Sequence, residues 1–398
     1  MNIDAAPSDL ARLRQAVLDD PRAQARLDRF DTVDAFVPQA LGLAQAAGIA
    51  LGEAQLRAAL ADDPLGLSRY SGDPPTGAHP PPGWLPIRIA PLYGQWCVDW
   101  AYFAARLLRE SFFENSVSLA LQRPLNRLAR HRTRLIDLPA CAERLEAPAP
   151  SGFIFHMSRC GSTLVAQMLA ADPRHLAISE AAPLDRALLL HARAPAALGD
   201  DIVRATIAAL THRRDGLAQR AFVKPDSWHV LALPLLRRLY PDVPWIFVYR
   251  EPVEVLASQA LDRGLQMQPQ AVPPALFGLG EEDQWPLDDY CARVLARTCA
   301  AAAEGLALGG GLLVNYRELP DAVPARILPH FGIAADGEMR ARMTAVTGRD
   351  AKNAGAAFSA DEDARRKGAS PELRDIAARE IDPVYRRLEA LRTAGADR

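Results

Sequence analysis

From residue 153 onward the chain alternates short apolar runs with longer helical ones, and few folds accommodate that rhythm. The runs at 153–157, 221–223, 245–249 and 312–314 are each bounded by turn-forming or charged residues. Runs this short and continuous fit strands of a parallel sheet buried on both faces. Helical patterning follows at about 162–171, 183–192, 201–213, 228–239, 252–261, 288–306 and 373–392. The alternation predicts an α/β, three-layer domain with a central parallel sheet and helices on both faces. Ligands of such sheets bind beyond the carboxyl ends of the strands, so functional residues are expected at the strand exits.

Two exits carry anion-binding chemistry. The first run leads into Ser158-Arg159-Cys160-Gly161-Ser162-Thr163 and then a helix. A strand, a tight loop and a helix N-terminus aim several backbone N–H groups at one point. Gly161 lets the backbone approach an anion, Ser162 and Thr163 add hydroxyls, and Arg159 adds charge. The spacing G-x-x-x-x-G-K-[ST] is absent, which argues against a nucleoside triphosphatase loop. At the second exit Arg250 ends the run 245–249, and Ser258 follows two turns into the next helix, after Pro252 at a first-turn position. That pair can grip one phosphate from two sides. Plainer roles remain open: Ser162 or Thr163 as a helix cap, and Arg250 in an ion pair with Glu251 or Glu254.

In this order and separation, Arg-Cys-Gly-Ser-Thr and Arg250-Glu-Pro…Ser258 resemble the sulfotransferase superfamily over 151–332. The pattern is most similar to the tyrosylprotein sulfotransferases and their bacterial relatives. Ala171-Asp172-Pro173 followed by Ile178-Ser179-Glu180, Phe222-Val223-Lys224-Pro225, and Leu313-Val-Asn-Tyr316-Arg-Glu-Leu carry the same resemblance. The pattern departs at Cys160, where Ser is usual, and at Lys224-Pro225, which lacks an intervening acid. The resemblance implies a P-loop-like domain that binds 3′-phosphoadenosine-5′-phosphosulfate (PAPS), releases adenosine 3′,5′-bisphosphate (PAP) and uses no metal. It implies that Arg159 to Thr163 hold the phosphosulfate, Arg250 and Ser258 the 3′-phosphate, and Tyr316 lies beside the nucleotide. Glu180 becomes the base, with Arg159 and Lys224 meeting charge on the leaving group. Arg366-Lys367-Gly368 is similar to the segment that closes over the 3′-phosphate in cytosolic sulfotransferases, although a solvated basic loop reads the same way.

Such a transfer is an in-line displacement that needs positioned charge and a proton acceptor. Glu180 has a plainer alternative as a cap before helix 183–192. His229 is a competing base, whereas His156, inside a buried run, reads as a core histidine. Rival functions are a nucleoside kinase or other phosphotransferase on the same architecture, and a non-catalytic peptide-binding protein.

Residues 1–62 read as four short helices, the first capped by Ser8, the second led by Pro21, the third ending at Gly48 and the fourth starting at Gly52. Asp19-Asp20-Pro21, Leu27-Asp28, a following Phe, Ala47-Gly48-Ile49 and Leu56 resemble the helical leader domain of nitrogen-fixation-associated and nitrile-hydratase-like peptide precursors. That resemblance implies peptide or natural-product tailoring; a helical cap is the alternative. Residues 63–149 read as a proline-rich connector, 73–86, and a helical packing segment with Trp100, Phe103, Leu107 and Leu108 on one face. Residues 150–398 form the expected sulfotransferase domain.

A net charge of −2 gives no global field for nucleic acid or an acidic membrane. No apolar stretch approaches the roughly 20 residues of a membrane helix. The N-terminus has no signal-peptide pattern, and the five cysteines lack metal-like spacing, which together suggest a reduced, cytoplasmic protein. The expected partners are the nucleotide donor and an acceptor, small molecule or peptide, whose identity the sequence does not disclose.

Overall fold

The computed structural model describes residues 7–61, 80, 83–92, 94–145, 147–214, 217–269, 271–280, 285–348 and 369–396. It divides into two compact units. The first comprises 1–107, 113–148 and 182–216; the second comprises 108–112, 149–181 and 217–398. No single boundary near residue 150 separates them, because 182–216 group with the first unit.

The second unit is built on a five-stranded sheet. With strands numbered along the chain, β4 is Gly152–His156, β5 His175–Ser179, β6 Arg220–Lys224, β7 Trp245–Tyr249 and β8 Gly311–Asn315. The order is β5-β6-β4-β7-β8 and every pairing is parallel. The chain therefore leaves β4, skips over β6 to form β5, and later crosses β4 to form β7. A crevice opens at the carboxyl end of a parallel sheet where connections diverge in this way. The apolar runs become these strands because both faces are covered: every residue of β4, β5 and β7 is buried. Each such large apolar side chain contributes about 1.5–3 kcal/mol relative to exposure. Helix Leu287–Gly305 buries Cys291 and Cys299 completely, and all five cysteines are buried free thiols.

β5 has no counterpart among the expected runs. His175 and Ser179 close its ends, so its short apolar centre is too brief to read as a strand, yet all five of its residues are buried.

In the first unit, helices Asp9–Asp19, Pro21–Leu27, Val33–Ala46 and Glu53–Ala59 form where capping signals place them. Ser8 accepts from the Ala11 N–H, Asp20 from Arg22, and Thr32 from Ala35. The helical segment expected around 96–113 is instead partly sheet. β1, Trp84–Leu92, and β2, Gln95–Tyr102, form an antiparallel hairpin, and β3, Arg132–Arg134, pairs with β2. Gly94, at φ +74°, ends the two-residue connection. The aromatic spacing misleads because 97–102 is buried on both faces, which erases any alternation, while Val98, Trp100 and Tyr102 favour extended backbone. Trp84 Nε1 donates to Gln24 Oε1 at 3.0 Å, so the N-terminal helices and this sheet share one core. Helices Ala182–His191 and Ala196–Thr211 belong to the same unit.

Among the described residues, no helix is long and apolar enough to cross a membrane.

Candidate active site

The exit of β4 is a tight left-handed loop. Ser158, Arg159 and Gly161 have φ of +76°, +51° and +83°. Such backbone is costly for the first two and natural only for glycine. Glycine is also required at 161 by space: a Cβ there would lie 2.8 Å from Cδ2 of Tyr316 and 2.9 Å from Cδ1 of Leu319. Gly161 is the N-cap of helix Ser162–Ala170 and offers no side-chain acceptor, so no side chain caps that N-terminus. A buried amide steadies the loop: Gln259, fully buried, donates to Ser158 Oγ at 3.0 Å and accepts from the Gly264 N–H at 2.9 Å.

Cys160 lies in the loop, but its side chain faces away from it. Its thiol points into the core and donates to the Val248 carbonyl at 3.0 Å, and burial pushes it up to about 11. Only its backbone belongs to the loop. Ser162 and Thr163 are buried at the helix start.

Arg159 turns toward Asp262, which follows helix Pro252–Leu261. Its Nη2 lies 2.6 Å from the Asp262 carboxylate and also donates to that residue's carbonyl. Arg250 precedes the same helix. Its Nε donates to Glu254 Oε2 at 2.6 Å, with both side chains only 7% exposed, so the ion pair is buried and not at the surface. The two guanidinium groups are therefore engaged at opposite ends of a 10-residue helix, roughly 15 Å long at 1.5 Å per residue. The Arg250 guanidinium lies over the Tyr316 ring, 4.1 Å from its centroid. Ser258 is buried two turns along that helix. Tyr316 opens the short 3-10 turn after β8 and stands between Gly161 and Arg250.

The exits of β5 and β6 bring Glu180 and Lys224 together. Glu180 has φ +54°, and its N–H donates to the Lys224 carbonyl at 2.7 Å. Lys224 Nζ donates to Glu180 Oε1. The lysine side chain is 1% exposed and the glutamate 23%, so a buried cation is neutralised by a carboxylate that keeps an open side. The Phe112 ring lies 5.8 Å from Nζ. Asp226 stands close by, its carboxyl raised by burial and then by the charge of Glu180.

His156, His229 and Glu180 compete as proton acceptors. His156 Nδ1 accepts from the Ser158 N–H at 3.1 Å, and burial, then Lys224, lowers the ring to about 3. His229 Nδ1 accepts from the Asp226 N–H at 3.0 Å. In the neutral His156 ring the proton then resides on Nε2, and the Nδ1 of His229 is likewise engaged as an acceptor.

Arg366 and Lys367 lie outside the described residues. Gln259, Asp262 and Asp226 escaped the sequence reading, since nothing in their local pattern marks them. Among the described residues, no group of three His, Cys, Asp or Glu side chains is arranged to hold a metal ion.

No protein-family model and no curated protein matches the chain. Several solved structures are similar to it. One is a sulfotransferase from Alicyclobacillus acidocaldarius, 16% identical, covering 62% of this chain and 96% of that one, with a TM-score of 0.39. Another is the sulfotransferase domain of the Synechococcus PCC 7002 olefin synthase, at 17% identity, 62% and 96% coverage and a TM-score of 0.35. A third, from Mycobacterium avium, has 14% identity, 60% and 77% coverage and a TM-score of 0.37.

Proposed function

We propose that the chain is a sulfotransferase that moves a sulfuryl group from PAPS to a hydroxyl or amine of a small molecule or peptide. The observation that carries this reading is the Lys224–Glu180 pair at adjacent strand exits, with the glutamate open to solvent and the lysine not. A cation fixed in a dry setting is suited to charge that develops on a leaving group, and needs no reorganisation when it appears.

The donor set fits a nucleotide with anionic groups at both ends. Arg159 and the N–H groups of the uncapped helix start at 161–163 would hold the sulfated end. Arg250 and Ser258 would hold the far phosphate, with Tyr316 beside it. Bound there, PAPS supplies the sulfuryl group, and PAP is left. Glu180, paired with Lys224, takes the proton of the acceptor O–H or N–H. Lys224, relieved of that partner, keeps its full charge for the leaving phosphate oxygen. His156 holds its proton on Nε2 and takes no part in that transfer.

Calorimetry with PAP, PAPS and Mg-ATP tests the reading. PAP is expected to bind, and the double substitution Arg250→Ala/Glu254→Gln, which leaves no buried carboxylate unpaired, weakens it by about 2–4 kcal/mol. Binding of Mg-ATP without PAP would instead make the protein a phosphotransferase.

A further inference from the structure

His156 ends β4 and is 3% exposed, yet it joins three strand exits. Its Nδ1 accepts from the Ser158 N–H at 3.1 Å, which leaves the ring proton on Nε2. Nε2 donates to the Pro225 carbonyl at 3.1 Å and lies 3.5 Å from Glu180 Oε1. One edge of the ring thus holds the first residue of the left-handed loop. The other holds the Lys224-Pro225 turn, and the Lys224 carbonyl in turn accepts from the Glu180 N–H at 2.7 Å.

Both ends of this linkage are strained. Ser158 and Glu180 sit at φ +76° and +54°. Non-glycine residues in such backbone cost about 1–3 kcal/mol each and persist only where the surroundings over-determine them. The imidazole supplies part of that determination on both sides. Burial keeps it neutral through the physiological range, so it neither gives nor takes a proton.

We propose that His156 is a positioning residue: one neutral imidazole couples the anion loop at 158–163 to the carboxylate of Glu180. The inference rests on the sulfotransferase reading, in which that loop holds the donor and Glu180 accepts the proton. It adds that donor grip and base placement are set by separate edges of the same ring.

Two half-conservative variants separate the edges. In His156→Asn the amide oxygen stands near the place of Nδ1 and keeps the Ser158 bond. In His156→Gln the amide nitrogen stands near the place of Nε2 and keeps the Pro225 bond. The readouts are PAP affinity by calorimetry and the titration of Glu180 by carboxyl carbon NMR in the PAP complex, assigned with Glu180→Gln. The groups that face Glu180 in that titration, Lys224 and Asp226, are left in place.

The expected pattern is crossed. His156→Gln weakens PAP about tenfold, the scale of one net hydrogen bond, and leaves the Glu180 titration in place. His156→Asn shifts that titration and leaves PAP affinity within about twofold, since its loop bond is intact. If both variants lower only the melting temperature, or change both readouts alike, the ring merely packs and the inference is overturned. If one variant fails to fold, the other decides alone, because each predicts one readout moved and one unmoved. Absence of PAP binding to the unsubstituted protein would remove the sulfotransferase reading and this inference with it, an outcome distinct from PAP binding with uncrossed variants.

Discussion

Each unit sets a carboxylate against basic side chains, and the two arrangements differ in how much of it they close off. In the first unit Asp99 is shared between Arg88 and Arg132: Arg88 Nε donates to Oδ2 at 2.7 Å and Arg132 Nε to Oδ1 at 2.6 Å. Both carboxylate oxygens are taken, and the aspartate side chain is 9% exposed. In the second unit Glu180 meets a fully buried lysine and keeps 23% of its side chain open. A closed cluster stabilises strands, here β1, β2 and β3. An open one has a side from which a substrate can approach.

The sharpest way to break this comparison is to remove each carboxylate. Glu180→Gln, which retains an oxygen for Lys224, is expected to lower kcat by roughly 10²–10⁴-fold with a small change in melting temperature. Asp99→Ala leaves two cations uncompensated and is expected to cost about 3–5 kcal/mol in denaturant unfolding, with PAP affinity of the folded protein unchanged. Reversal of the two phenotypes would show that the open pair is structural.

A smaller effect sharpens the contrast between buried histidines. His156 engages both ring nitrogens, whereas neither nitrogen of His131, in the first unit, finds a partner among the described residues. Burial lowers His131 from 6.5 to about 4. Between those values the unfolded chain binds more protons than the folded one. Its contribution is therefore complete above pH 6.5 and declines as the pH falls toward 4, by up to about 3 kcal/mol at 1.36 kcal/mol per unit. Denaturant melts from pH 7 to 4 should show this loss, and His131→Phe should flatten it. An unchanged slope in the variant would mean the ring is solvated or paired in solution.

The smallest effect concerns the two arginines. Arg250 is held by a buried glutamate, whereas the partner of Arg159, Asp262, is 80% exposed. An exposed pair contributes up to about 1 kcal/mol. Asp262→Asn should release Arg159 to an incoming anion and tighten PAP binding by up to about fivefold, most clearly at low salt. Weaker binding would show that Asp262 instead orients the guanidinium.

The strand exits were legible because residue type alone marks them: an arginine, a glycine and hydroxyls after a buried run restrict the possible chemistry. Three of the parallel strands besides β4 follow from the same signal. β5 does not, because two polar ends leave it too short a run. The hairpin of β1 and β2 was hidden by aromatic residues whose spacing also fits a helix, and burial on both faces removed the alternation that would have distinguished them. Cys160 belongs to the loop by position, and the turn of its thiol toward the Val248 carbonyl is not written in the order of residues. Gln259 and Asp262 matter only through what the turn at 262–264 brings near Ser158 and Arg159, a tertiary fact with no local pattern. Grouping of 182–216 with the first unit is equally nonlocal.

The absence of a side chain at Gly161 has a reach beyond its own turn. With Tyr316 against that bare backbone on one side and Arg250 against the phenol on the other, the ring acts as a spacer between two grips that share no covalent neighbour. A single methyl group at 161 would lever the ring outward and be felt by a guanidinium almost ninety positions away along the chain. Evolution of this loop is thereby yoked to that of the turn after β8, and neither can gain bulk alone.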